Sequence, residues 1–224
     1  MANFNVHFSA STIFSGSLII PLMFTELTIP NIIITFGLGV LGGLLPDIDS
    51  DNSKSISIIF TLFAILITIL FLYKQYCNYS LEELLFFTFI IFSTIRFVII
   101  NIFRKFSKHR GMFHSIPSAI LSGMLLTTSV NLFFQVEPFI SWVYGIILTS
   151  TYILHLILDE MYSVDLRNIH IKKSFGTALK FYQKKTLGDK INTTLIYLSI
   201  IVLLLFIPDI TIFIEDIKTL LKTF

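Results

Sequence analysis

The chain has 224 residues, of which 54% are hydrophobic and only 13% charged, with a formal net charge of +2. Soluble domains carry roughly a quarter charged residues, so this composition excludes an ordinary water-soluble enzyme and points to a membrane protein. The length suits one all-α domain, residues 1–224, built as a polytopic transmembrane bundle of about six or seven helices. A single cysteine, Cys77, excludes an intramolecular disulfide framework and a cysteine-built zinc site.

Apolar runs cover residues 4–24, 29–45, 56–73, 84–103, 116–134, 139–158 and 193–214. Most approach the ~20 residues that a helix needs to cross a hydrocarbon core. The N-terminus, MANFNVHF, lacks the basic region and cleavage site of a secretory signal, so the first run is expected to be retained. That run is polar along one side, with His7, Ser9, Ser11, Thr12, Ser15 and Ser17, and either crosses at the bundle centre or forms a buried half-helix. The second is short, and Gly37, Gly39, Gly42 and Gly43 allow close helix approach.

The second run ends in GGLLPDIDSDNS, which sets Asp47, Asp49 and Asp51 just beyond Pro46. Three carboxylates at the mouth of a membrane helix are costly unless a cation binds there. Arg96 falls inside the fourth run and is expected to meet a polar partner or to snorkel toward the cytoplasmic side. HRGMFHS follows, with His109, Arg110 and His114, and Ser115 reads as the N-cap of a helix that tolerates Pro117 in its first turn. The sixth run ends in HLILD, where His155 and Asp159 share a helix face. The connection Met161–Asn192 is basic, and Phe175, Leu179 and Tyr182 recur at helical spacing. It reads equally as an interfacial amphipathic helix on an anionic leaflet and as a solvated basic loop. Asp165, His170 and Asp189 read as loop residues.

If all seven runs cross, twelve of the 16 Lys and Arg fall on one side and only Lys74, Lys218 and Lys222 on the other. This positive-inside bias makes the first side cytoplasmic and places the N-terminus inside and the C-terminus outside. His7, the three aspartates, HRGMFHS and HLILD then all lie at cytoplasmic helix ends. Singly, each has a plainer explanation: a hydrogen-bonded core histidine, a neutral His–Asp pair, or a solvated helix end. Their convergence on one face favours a shared cation site. Histidine and carboxylate ligands together suit Zn²⁺ first, with Mn²⁺ and Fe²⁺ as alternatives, for one or more ions. The DIDSDNS stretch is not a calcium loop, since Asn52 replaces the required glycine and Ile58 the terminal glutamate. No GxSxG, P-loop, HExxH or GxGxxG motif is present.

An early His7, GGLLPDIDSDNS, HRGMFHS and HLILD, in that order, resemble the YdjM family of bacterial inner-membrane proteins, described as membrane-bound metal-dependent hydrolases. The resemblance implies His7, Asp47, Asp49, His109, His114, His155 and Asp159 as metal ligands, with Arg110 near the substrate. Phe113 stands where the family pattern has a small polar residue, and EMYSVD replaces its threonine and glycine after HLILD.

The reading that follows is a hydrolase of the inner (cytoplasmic) membrane that uses a metal-activated water on a phosphoester of a lipid or lipid-linked, amphipathic substrate. Arg110 would orient the anion, and Asp49 or Asp51 would act as general base. The competing readings are a metal-ion transporter or metal-gated membrane protein, and a non-catalytic anchor that recruits a cytoplasmic partner through Met161–Asn192. The sequence names no protein partner beyond membrane lipids. Nucleic acid is disfavoured, because the basic residues lie beside the membrane without interleaved stacking aromatics.

Overall fold

A computed structural model describes residues 3–25, 27–49, 54–101, 114–165, 170–171, 179–182 and 186–222. Among these residues there are eight α-helices. They are α1 (Phe4–Leu22), α2 (Ile29–Gly42), α3 (Lys54–Gln75), α4 (Leu81–Ser93), α5 (Ile116–Phe134), α6 (Pro138–Met161), α7 (Leu187–Leu203) and α8 (Ile210–Lys222). The chain divides into two compact units, one of residues 1–46 and 111–224 and one of residues 47–110. Among the described residues, two helices, α5 and α6, are long and apolar enough to cross a membrane.

In the larger unit, α1 starts where Asn3 Oδ1 accepts from the Val6 N–H at 3.0 Å, and α5 where the buried Ser115 Oγ accepts from Ser118 N–H at 3.4 Å. These caps satisfy amide donors that the first turn leaves orphaned. The α5–α6 crossing is built on Gly123 and Gly145. A Cβ on either would lie 2.8 Å from the other's carbonyl oxygen. Small residues permit such a backbone approach, which dispersion rewards in a membrane where burial alone does not. Gly42 brings α2 equally close to α6, since a Cβ there would lie 2.5 Å from the Leu148 carbonyl. Ser11 and Ser15 of α1 occupy the space where Cβ atoms of Gly43 and Gly39 would be.

Polar side chains of α1 point inward. His7, Ser11 and Ser15 are buried, while Phe8, Ile13 and Ile20 of the same helix are exposed. That inversion is the pattern expected of a helix with lipid outside and polar packing inside. Apolar packing is supplied by Leu38, Tyr144, Ile147 and Leu148, and by Ala119 of α5 with Tyr152 and Leu156 one to two turns further along α6.

The smaller unit is the α3–α4 hairpin. Ser80 and Glu83 form a capping box at the start of α4. Helix α4 then runs on as a π-helix over Thr94–Ile99. The Arg96 guanidinium, inside this segment, donates to Ser57 Oγ at 2.7 Å, which supplies the polar partner expected of it. Ile56, Phe60, Ala64, Ile95 and Ile100 form the core beside it.

The last apolar run differs from the expectation of one crossing over residues 193–214. Helix α7 begins earlier, at a capping box in which Asp189 accepts from the Thr186 N–H at 2.9 Å, and ends at Leu203. Asp189 is therefore a helix-start residue, not a loop residue. Pro208, which has no N–H to donate, precedes the separate and strongly amphipathic α8. Within Met161–Asn192, Val164–Asp165 pairs antiparallel with His170–Ile171. Lys180 bridges to Ser115, and the Ile116 N–H donates to the Lys180 carbonyl at 3.2 Å. Leu179 to Tyr182 is thus non-helical beside the start of α5, with bends at Leu179 and Phe181, which at these four residues agrees with the loop of the two readings. Phe175 lies outside the described residues.

Candidate metal centre

Three elements of the larger unit bring His7, His114, His155 and Asp159 together. His7 sits in the first turn of α1, His114 immediately before the α5 N-cap, and His155 and Asp159 one turn apart on α6. All four are buried, with exposures from 0% for His155 to 8% for His114, so His114 marks the open side. Asp159 is the hub. Its Oδ1 lies 3.2 Å from His7 Nε2, and its Oδ2 lies 3.6 Å from His114 Nε2 and 3.8 Å from His155 Nε2. The rings of His7 and His155 stack at 3.6 Å between centroids and 12° between planes, and His114 meets His155 edge-on at 5.7 Å.

A backbone contact sets the orientation of His155. Its Nδ1 is 2.7 Å from the Gly43 carbonyl oxygen. A carbonyl can only accept, so Nδ1 carries a proton, and the ring in its neutral form presents a lone pair at Nε2. That lone pair and the Asp159 carboxylate are then two acceptors turned toward one another. Only a proton or a metal cation between them makes the arrangement favourable. Donation by a ligand histidine's other ring nitrogen to a backbone carbonyl is also the usual way that a metal site fixes its tautomer.

The distances test the fit. Two ligand atoms each ~2.1 Å from one ion are separated by about 3–4 Å. The donor atoms of His114, His155 and Asp159 all lie within 4.8 Å of one another, and their separations from Asp159 are too long for ordinary hydrogen bonds. His7 does not join that set at the same spacing; its Nε2 lies 3.2 Å from the other Asp159 oxygen, and its Nδ1 is buried without a hydrogen-bond partner among the described residues. The residues present fit a divalent ion bound by nitrogen and oxygen.

The other expected site residues are placed less fully. Asp47 is half-buried in the 3₁₀ turn Leu45–Asp49, directly after the buried Pro46. Asp49 closes that turn by its backbone, and its side chain lies outside the described residues. Asp51, His109 and Arg110 also lie outside them. Asp165 and His170 pair as strand residues, apart from the four-residue cluster in sequence. Sequence reasoning missed the Gly43 carbonyl. The run of Gly42 and Gly43 announced close approach, but no side-chain pattern reveals a main-chain acceptor.

The family model described as YdjM inner membrane protein matches residues 8–208. No curated protein and no solved structure matches the chain.

Proposed function

We propose that this chain, which belongs to the YdjM family of inner membrane proteins, is a membrane-bound metal-dependent hydrolase acting on a phosphoester of a lipid or lipid-linked substrate. The observation that carries the reading is the buried Asp159 carboxylate ringed by three imidazoles, one of them fixed in its metal-binding tautomer. His7, His114, His155 and Asp159 would hold the ion. Asp47 is a further ligand in this reading, as the family resemblance of its GGLLPDIDSDNS motif implies. His109 and Asp49 would complete a second ion site.

A Zn²⁺ bound here would supply an ionised water near neutral pH and polarise a phosphoryl oxygen. The chain's own groups do the remainder. Gly43 keeps Nε2 of His155 turned to the ion, and the stacked His7 and His155 rings shield the carboxylate from bulk water. Arg110 would pair with the substrate phosphate, and Asp49 or Asp51 would take the proton. The positive-inside bias of the sequence supports a centre at the cytoplasmic boundary of the membrane, at the depth of lipid headgroups, with the N-terminus inside. An amphipathic substrate suits that depth.

A metal-ion transporter is the second reading. It is favoured by the buried hydroxyls of Ser11 and Ser15, which continue inward from His7 and lack hydrogen-bond partners among the described residues. Elemental analysis of the detergent-purified protein, followed by a screen of phosphorylated lipids, separates the readings. Bound zinc, manganese or iron at one or more per chain, lost in His114→Ala, together with release of a phosphorylated product, supports the hydrolase. Metal uptake into proteoliposomes with no lipid turnover supports transport. A metal-free protein whose His114→Ala and Asp159→Ala variants behave as wild type overturns both.

A further inference from the structure

At the end of the larger unit opposite Asp159, helices α1, α6 and α8 border two adjoining open clefts. One, of about 860 Å³, has a mixed lining in which Asn31, Gln135, Glu137, Asp216 and Thr219 stand beside Leu27, Val136 and Ile140. The other is an apolar groove of about 300 Å³ lined by Leu18, Leu22, Val143, Ile146, Phe213 and Ile217. Thr25 and Phe139 line both, so the two share a wall. Helix α8 is fixed over them: Trp142 Nε1 donates to the Pro208 carbonyl at 3.1 Å, and Phe139 stacks on Phe213 at 5.6 Å.

The polarity of the lining changes with depth. On α1, Thr25 lies just past the helix end, with Leu22 and Leu18 about one and two turns inward. On α6, Glu137 is the N-cap and Val143 and Ile146 lie two to three turns inward. Helix α8 turns Asp216 and Thr219 to the cavity and Phe213 and Ile217 to the groove. Polar at the helix ends and apolar toward the bilayer middle is the profile of a lipid, and both volumes fall in or near the usual range of ligand sites.

Charge selects among lipids. Among the described residues, Glu137 and Asp216 line the larger cleft without an ion pair, and no Lys or Arg lines either space. Tyr144 Oη donates to Asn31 Oδ1 at 3.0 Å, which leaves the Asn31 amide N–H₂ as a donor beside the hydroxyls of Thr25, Thr28 and Thr219. Carboxylates for a cation and neutral donors for a phosphate match a zwitterion and repel an anionic headgroup.

We propose that this cleft binds one phospholipid whose headgroup carries a primary amine, with an acyl chain in the groove, on the membrane face opposite the metal centre.

The test is native mass spectrometry of the full-length protein exchanged into equal mixtures of phosphatidylethanolamine and phosphatidylglycerol. Wild type is expected to retain one phosphatidylethanolamine in preference to phosphatidylglycerol. Glu137→Gln with Asp216→Asn should lower that preference about fivefold while leaving a lipid bound. Ile146→Trp, which fills the groove, should abolish retention. Equal retention of both lipids by wild type, or an unchanged preference in the double variant, overturns the proposal. If either variant fails to fold, phosphatidylethanolamine with a photoreactive acyl chain is cross-linked to wild type. Adducts on α1, α6 or α8 around the groove uphold the proposal, and adducts confined to other helices overturn it.

Discussion

His155 bonds through Nδ1 to the Gly43 carbonyl, and the bond decides which nitrogen of the imidazole meets Asp159. A main-chain oxygen at the end of α2 thereby orients a ligand on α6. The same residue, having no Cβ, lets Ser11 of α1 close on the centre from the other side.

Asp159→Asn should remove the shared acceptor charge with little change in shape. Metal content by elemental analysis is expected to fall at least ~10-fold, in line with the loss of a ligand or its immediate support. Unchanged metal content would remove Asp159 from the centre.

Gly43→Ala should force Ser11 and α1 outward, at a cost of about 1–3 kcal/mol in unfolding free energy. Ser11→Gly in the same chain should recover most of that loss, because the clash is with the Ser11 side chain. Thermal unfolding in detergent of the two single variants and the double variant measures the coupling. Additive effects would show that the two residues do not share this contact.

Gly145→Leu should separate α5 from α6, where a Cβ already meets Thr127 and the Gly123 carbonyl. A loss of about 2 kcal/mol or more is expected from overpacking. His114, carried at the start of α5, would move with it, so metal content should drop in the same variant.

Ser57→Ala deprives the Arg96 guanidinium of its bonded hydroxyl and should cost about 1–3 kcal/mol, since a donor is left unpaired. Arg96→Met together with Ser57→Ala removes both partners and should be closer to wild type than Ser57→Ala alone. Unfolding midpoints of the three proteins give the comparison.

Sidedness can be read with thiol reagents after Cys77→Ser. Phe213 stacks on Phe139 at the N-terminal end of α6, whereas Asp159 lies near its C-terminal end. A cysteine at Lys218 should therefore label from the side opposite one at Asn3. Labelling of both from the same side would contradict the seven-run topology.

Much of the centre was legible because its chemistry is written in side chains at fixed spacing. His155 and Asp159 share a helix face by their interval of four, and Ser115 announced the start that holds His114. His7 was weaker alone, since a single histidine in an apolar helix has ordinary explanations; its meaning comes from a partner far along the chain. The Gly43 carbonyl was illegible, because the main chain is the same at every residue. The last apolar run misled for a different reason. Hydropathy averaged over residues 193–214 hides the break before Pro208, and the amphipathic face of α8 follows Asp216 and Thr219 beyond the run's end.

The inward polar face of α1 also bears on how the protein is made. His7, Ser11 and Ser15 are tolerable in a bilayer only when α2 and α6 cover them, and α6 is synthesised long after α1. The first helix should therefore wait at the insertion machinery, or rest on the membrane surface, until its seat exists. Assembly of the ligand cluster would then wait for α6 and would report that α1 has taken its seat.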